Sequence, residues 1–371
     1  MSEHLGRLNH LKLSGYKSIH SLDLELKSLN VLIGANGVGK SNFIGFFKFM
    51  KKILDKDLQF YVAQQGGANK ILHFGKKKTE ELFFKLEFEP NGYLATLISD
   101  NNDKFIFKDE AVGFFAERIK YEGGIKTQYL KSEGKKESSL PNNQHSQDIS
   151  GHVVSFLNDW KLYHFHDTSS TAKVKQTCNI NDAQLLASDA QNLSAFLYAI
   201  KLNSPKSYKK IVKTIQRVAP FFHDFILEPE IHNSDTIRLK WKHKGSDDYF
   251  DANDLSDGTL RFICLTTLLL QPNLPTIILL DEPELGLHPF ALKLLASMFR
   301  VVSKKTQIIA STQSATFTDE FEIEDIIVVD RVDNKSEFRR LNSKDYEEWL
   351  DEYSLGDLWQ KNLIGGVPSY D

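Results

Sequence analysis

The chain has 371 residues, 41% of them hydrophobic, which is enough to give one large domain or two ordinary ones a full core. Its 46 Lys and Arg stand against 49 Asp and Glu, a net charge of -3, which excludes a global basic field for nucleic acid and an acidic tail for a basic partner. The only cysteines, Cys178 and Cys264, exclude a cysteine-rich zinc site and suit a reducing compartment, so the cytoplasm is the expected location. Residues Met1 to Arg7 lack the apolar core of a signal, and no stretch approaches the ~20 apolar residues of a membrane span.

Along the chain, Leu11-Lys12-Leu13 leads through Gly15-Tyr16-Lys17-Ser18 to the alternating Leu22, Leu24 and Leu26, then to Val31-Leu32-Ile33. This is strand patterning, and the chain enters a sheet at once. Directly after it, Gly34-Ala35-Asn36-Gly37-Val38-Gly39-Lys40-Ser41 reads G-x-x-x-x-G-K-S and runs into an apolar helix carrying Phe43, Ile44, Phe46, Phe47 and Phe49. That is a phosphate-binding P-loop in its proper setting. Small residues let backbone N–H groups curl round a phosphate while the helix N-terminus points at the same place. Lys40 would reach the β- and γ-phosphates of ATP, and the Ser41 hydroxyl would hold Mg²⁺. The candidate nucleotide set is Gly34, Asn36, Gly37, Gly39, Lys40, Ser41 and Asn42.

After the turn at Gln64-Gln65-Gly66-Gly67 come strand runs at 82–88, 93–98 and 105–107, separated by Pro90-Asn91-Gly92 and Asp100-Asn101-Asn102-Asp103, which is the chemistry of an antiparallel meander. Residues 132–150 are polar with almost nothing to bury and are read as a mobile loop. Helices are expected at Asn192 to Leu202 and Pro205 to Val218, the second with Tyr208, Ile211, Val212, Ile215 and Val218 on one face. Lys206, Lys209, Lys210, Lys213 and Arg217 line its opposite side, and no acidic residue lies between Gln191 and His223. Such a stripe is either a solvated lysine face or a track for phosphates or an acidic partner.

Downstream, Leu255-Ser256-Asp257-Gly258-Thr259-Leu260-Arg261 precedes an apolar helix, and Pro275 to Leu280 is an apolar run ending in Asp281-Glu282-Pro283. The run fits a buried central strand of a parallel sheet delivering carboxylates at its C-terminal edge, as a Walker B element does. Asp281 would complete the Mg²⁺ shell, and Glu282 could orient and deprotonate an attacking water. Glu284-Leu285-Gly286-Leu287-His288-Pro289 follows. His164 and His166 fall on one face of a possible strand without a clear third ligand, so a hydrogen-bonded structural role is expected. Asn334-Lys335-Ser336-Glu337 resembles a guanine-reading motif but ends in glutamate within a hairpin turn, against a GTPase.

The order of P-loop, LSDGT, hydrophobic-DEP and ELGLHP resembles the ABC-type ATPase heads, in particular the RecF/SMC-like branch of bacterial AAA-named ATPases, across residues 8–90 and 245–330. Tyr353 to Trp359 and Ile364-Gly365-Gly366 also resemble the C-terminal signature of predicted ATPases found beside anti-phage effector genes. The resemblance implies an α/β P-loop head with a mixed central sheet, an antiparallel β meander and an inserted helical region. The expected divisions are 1–110, a mainly helical insertion at 111–235, and 236–371. It implies that Ser256 and Gly258 of one subunit cover the ATP of the other in a two-fold dimer, with higher oligomers open. It also places Gln313 of Ile308 to Ser314 at a switch position where many such ATPases carry histidine. Gln313 can hydrogen-bond a γ-phosphate or a water but cannot carry a proton near pH 7, so slow or partner-stimulated turnover is expected. Asp257 is expected to point away from phosphate, Gln64 or Gln65 stands where a Q-loop glutamine is sought, and Tyr16 and Lys17 stand where related heads meet nucleotide. Three functions are weighed: an ATPase that regulates or scaffolds a separate effector in phage defence, a RecF-like DNA clamp in repair, and a transporter ATPase, which LSDGT argues against.

Overall fold

The computed structural model describes residues 6–114 and 126–367. The first five residues of the stretch read for a signal core, and 115–125 within the expected insertion, lie outside the described residues. In chain order β1 (His10–Tyr16), β2 (Ile19–Glu25) and β3 (Leu29–Ile33) lead to α1 (Lys40–Leu54), α2 (Leu58–Gln64) and α3 (Ala68–Ile71). Then come β4 (Glu81–Phe88), β5 (Asn91–Ser99), β6 (Phe105–Phe114), β7 (Lys126–Tyr129), α4 (Ile149–Asn158), β8 (Trp160–Tyr163), β9 (Cys178–Asn179), α5 (Leu193–Asn203) and α6 (Pro205–Val218). Five short strands follow: β10 (Phe222–Ile226), β11 (Pro229–Glu230), β12 (Asn233–Ile237), β13 (Lys240–His243) and β14 (Tyr249–Asp251). The C-terminal part holds α7 (Asp257–Leu270), β15 (Ile277–Asp281), α8 (Pro289–Val302), β16 (Gln307–Ser311), α9 (Ala315–Thr318), β17 (Ile326–Val332), β18 (Lys335–Arg340), α10 (Glu347–Leu350) and α11 (Leu355–Gln360).

Strand order in the central sheet is β18-β17-β3-β16-β15-β8, parallel except for the β17–β18 hairpin. The strand feeding the P-loop thus lies between two strands from the far end of the chain, so both ends of the sequence build one mixed sheet. Its inner strands are mostly apolar because both faces are covered. Leu32, Leu279, Ile309 and Val329 enter the core shared with α1 and the meander, while Val31, Leu280, Ala310 and Val328 enter the core shared with α7 and α8. The second sheet, β2-β1-β4-β5-β6-β7, is antiparallel and packs its aromatic face on α1, with Phe46 and Phe49 against Tyr16, Phe84 and Phe105. Gln307, fully buried, joins the two layers: its Oε1 accepts from Leu8 N at 2.9 Å and its Nε2 donates to Leu8 O and Lys27 O at 2.8 Å.

Two expectations need correction. Residues 132–150 are folded around a buried carboxylate: Glu110 accepts from the Ser132 and Ser138 hydroxyls, from Ser139 N at 3.1 Å and from Tyr93 OH at 2.7 Å. The serines of the segment satisfy a carboxyl group that could not otherwise be buried without cost. Asp148 then caps α4, accepting from Ser150 N at 2.9 Å. The span 111–235 is also more than a helical insertion. α5 and α6 form as expected, but β8 pairs in parallel with β15 as the edge of the central sheet, and Val153, Val154 and Leu157 of α4 share the core of α1. Among the described residues no helix is long and apolar enough to cross a membrane.

Candidate functional site

The turn between β3 and α1 needs glycine: φ is 150° at Gly34, 79° at Gly37 and 120° at Gly39, in regions that cost an L side chain free energy. A Cβ on Gly39 would lie 2.1 Å from Ser336 Oγ. Ser336 donates to Val38 O and bonds Ser18 Oγ at 2.7 Å, and Ser18 accepts from Asn42 Nδ2 at 2.7 Å. Arg331 also donates to Gly37 O at 3.2 Å. The hairpin carrying Asn334-Lys335-Ser336-Glu337 therefore shapes the loop from behind, turning at Asp333 and Asn334 with φ of 48° and 61°. Asn42, grouped with the nucleotide set in sequence, is part of this brace.

Lys40 is buried, and its Nζ donates to Gly34 O at 2.6 Å and Ala35 O at 2.9 Å. Burial holds its pKa below the usual lysine value, while Glu282, Asp281 and Glu284 pull it back up. Asn36, Gly37 and Ser41 are exposed around it. The carboxylates face this cation because β15 and β16 run in register, Asp281 opposite Ser311. Asp281 accepts from Ser311 Oγ, and His166 Nε2 bonds Asp281 O at 2.7 Å. Glu282 has φ of 46°, a strained backbone for a glutamate, and its Oε1 accepts from Gln313 Nε2. The candidate base and the switch residue are thus in direct contact. Glu284, unnoticed in the sequence as a site residue, is buried, accepts from Gln313 N at 2.9 Å and from Thr312 Oγ1, and has no partner for Oε2. Burial pushes its pKa up.

Ser256 caps α7, accepting from Thr259 N at 3.2 Å, and both Ser256 and Asp257 are exposed. A Cβ on Gly258 would lie 2.3 Å from Gly286 O, so the signature packs backbone on backbone against the turn after Walker B. Arg261 extends this contact, donating Nε to Phe165 O at 2.9 Å, Nη2 to His166 O at 3.0 Å and Nη1 to Leu285 O. The chain leaving β8 is a second site segment, whose histidines the sequence marks for a hydrogen-bonded structural role without showing that they meet Asp281 and Arg261. His164 and His166 follow that strand, and burial lowers the pKa of His164.

Tyr16 is a core residue, fully buried against Phe46 and Phe49, and is not available to a nucleotide. Lys17 Nζ donates to Gln65 Oε1 at 3.2 Å, and both Gln64 and Gln65 are exposed. Lys206, Lys209, Lys210, Lys213 and Arg217 are all exposed on α6, while Tyr208, Ile211 and Ile215 are buried beneath them. Among the described residues none of the five stands in an ion pair.

The residues fit a magnesium nucleotide. The loop has left-handed glycines with open space at Gly37, and a lysine whose bonds rest on loop carbonyls that phosphate oxygens could replace. Ser41 and Asp281 carry the hard oxygen donors that Mg²⁺ takes and would hold it, and the ion when bound would neutralise phosphate charge.

Solved structures with this architecture include an Smc head bound to the C-terminal winged-helix domain of ScpA, with a TM-score of 0.54 at 15% identity over 92% of this chain and 99% of that one. An Smc head domain with an extended coiled coil, bound to the C-terminal domain of ScpA derived from Pyrococcus furiosus, gives a TM-score of 0.55 at 14% identity over 93% and 98%. These likenesses concern the fold. No curated protein matches in sequence. A family described as "AAA domain, putative AbiEii toxin, Type IV TA system" matches residues 29–319, from the P-loop strand to just beyond the switch. The chain belongs to that family, and its fold is the P-loop ATPase head fold seen in the Smc head domains.

Proposed function

We propose that this protein hydrolyses ATP, closes as a two-fold dimer around it, and uses that cycle in the cytoplasm to regulate or scaffold a separate effector in anti-phage defence. The observation that carries the reading is the contact of Glu282 with Gln313 at the sheet edge facing Lys40. Glu282 accepts the proton of the attacking water, Gln313 holds the carboxylate in place, and Lys40 with the loop amides binds the phosphates. Glu284 fixes the switch backbone from below. Ser256, an exposed helix cap, is positioned to meet the nucleotide of a second copy. The family description, which names a toxin of a toxin–antitoxin system, favours defence. The Smc heads bound to a ScpA domain illustrate that such a head can carry a partner protein.

Phosphate release by the purified chain with MgATP tests the chemistry. Glu282→Gln should lower the rate by about 100-fold or more while MgATP still binds, and an unchanged rate would remove Glu282 from the role of base. A second reading, an ATP-dependent DNA clamp, is favoured by the exposed stripe on α6. It requires DNA affinity that falls steeply with salt.

A further inference from the structure

The last described stretch of the chain touches both ends of the candidate site. α11 lies on α9, the helix directly after Gln313. Gly356 N donates to Asp319 Oδ1 at 2.6 Å, and a Cβ on Gly356 would lie 2.7 Å from Ala315 O. α11 begins with a capping box between Ser354 and Asp357, and Leu358 and Trp359 are buried. The chain then turns back: Leu363 N donates to Leu358 O at 2.9 Å, and Ile364 is fully buried. At Gly366 it arrives beneath the P-loop. Gly366 N donates to Asp330 Oδ1 at 2.6 Å, and its carbonyl accepts from Trp359 Nε1 at 2.9 Å. Arg339 Nη2 holds Ile364 O at 2.9 Å. A Cβ on Gly366, where φ is 79°, would lie 2.9 Å from Trp359 Nε1 and 3.4 Å from Gly34 Cα, the first residue of the phosphate loop.

We propose that residues 354–366 are a brace that positions the P-loop and couples it to the switch, with Asp330, Trp359 and Gly366 as positioning residues for nucleotide binding. The argument is one of contact and satisfaction. Gly34 must hold a left-handed backbone with no side chain of its own to anchor it, and a Cβ there would lie 2.3 Å from Val329 O. Its Cα is backed by Gly366, whose N–H and C=O are both pinned, by a β17 carboxylate and by a buried indole. An element clamped at both ends has little freedom, so a shift at α9 when Gln313 engages or releases nucleotide is carried to Gly34 through α11. Packed layers transmit such displacements because they cannot be compressed. The brace touches neither phosphate nor water and acts through Gly34 and Gln313.

The proposal rests on the P-loop holding nucleotide, and the test separates the two claims. MgADP binding to the full chain is measured by titration for wild type, Asp330→Ala, Asp330→Asn and Gly366→Ala, and amide hydrogen exchange is followed in the wild type with and without MgADP. Asp330→Ala, which loses one hydrogen bond, and Gly366→Ala, whose Cβ would press on Trp359 Nε1 from a left-handed backbone, should each weaken MgADP binding by about five- to tenfold. Asp330→Asn, which keeps an acceptor at Oδ1, should restore it. In the wild type, MgADP should slow exchange in 354–366 as well as in 34–41. If the wild type does not bind MgADP, the nucleotide reading falls and the brace with it. If the wild type binds but both variants bind equally well, or exchange in 354–366 ignores MgADP, the brace alone is overturned. The exchange measurement needs no variant and decides the matter even where a substitution impairs folding.

Discussion

Gly258→Ala separates two roles of the signature, contact with phosphate and packing within its own subunit. The new Cβ would lie 2.3 Å from Gly286 O, a backbone atom that no rotamer change can move. An ordinary carbon–oxygen contact needs about 1 Å more, so the start of α7 or the Leu285–Leu287 turn must shift by roughly that amount. Overpacking of this kind costs about 1–3 kcal/mol, and exchanging glycine for alanine within a helix returns up to about 1 kcal/mol. The net loss of stability is therefore about 0–3 kcal/mol, a fall in melting temperature of a few degrees for a chain of this size. Ser256 moves with the helix start, and a misplacement of about 1 Å can cost about 100-fold in rate. The expected result is a variant that melts within a few degrees of wild type and binds MgATP, but hydrolyses it at least about tenfold more slowly. Thermal unfolding and phosphate release read the two quantities on one preparation. A Gly258→Ala protein with wild-type turnover would refute the argument that this backbone contact positions Ser256.

Glu284→Gln should change how stability depends on pH. Burial raises the folded-state pKa above the ordinary glutamate value of 4.5, so the contribution of this group is fully present below pH 4.5 and is lost as pH rises through the folded value. Glutamine carries no such proton, so the stability of the variant relative to wild type should increase from pH 4.5 upward in urea titrations; a constant difference would contradict the assignment. Gln307→Leu strands one N–H and two carbonyls between the two sheets. It should destabilise by about 2–4 kcal/mol, and a loss below about 0.5 kcal/mol by urea denaturation would show that these groups find other partners. Reversing Lys209, Lys210 and Lys213 to glutamate should leave ATP hydrolysis unchanged. If the α6 face tracks DNA, the same change should abolish salt-dependent binding to a DNA duplex, and unaltered binding would exclude that face.

The parts of the site read directly from sequence are those in which chemistry and local structure coincide. Gly34 to Ser41 needs glycines for its own turn, and Ile277 to Leu280 needs apolar residues because it is covered on both faces, so each segment carries its signal internally. Contacts between distant segments left no such trace. Nothing local distinguishes Ser336 as the residue behind Gly39, or Gly258 as the partner of Gly286, because the crowding exists only once the strands are ordered. A possible strand was legible around His164 and His166, but its parallel pairing with β15 was not, because pairing between distant segments leaves no local pattern, and with it the approach of His166 to Asp281 went unread. The loop at 132–150 misled for a related reason. Its serines resemble solvated linker until Glu110, which lies outside the loop on β6, is seen among them.

The central claim, that ATP is a contact between two copies of this chain, is met most directly by the mass in solution of Glu282→Gln with and without MgATP. With the candidate base removed the sandwich should accumulate. The account predicts an ATP-dependent doubling of mass that Ser256→Arg abolishes without abolishing ATP binding. A mass that stays constant while ATP binds would contradict it, leaving the nucleotide as a ligand within one copy or within an assembly already formed.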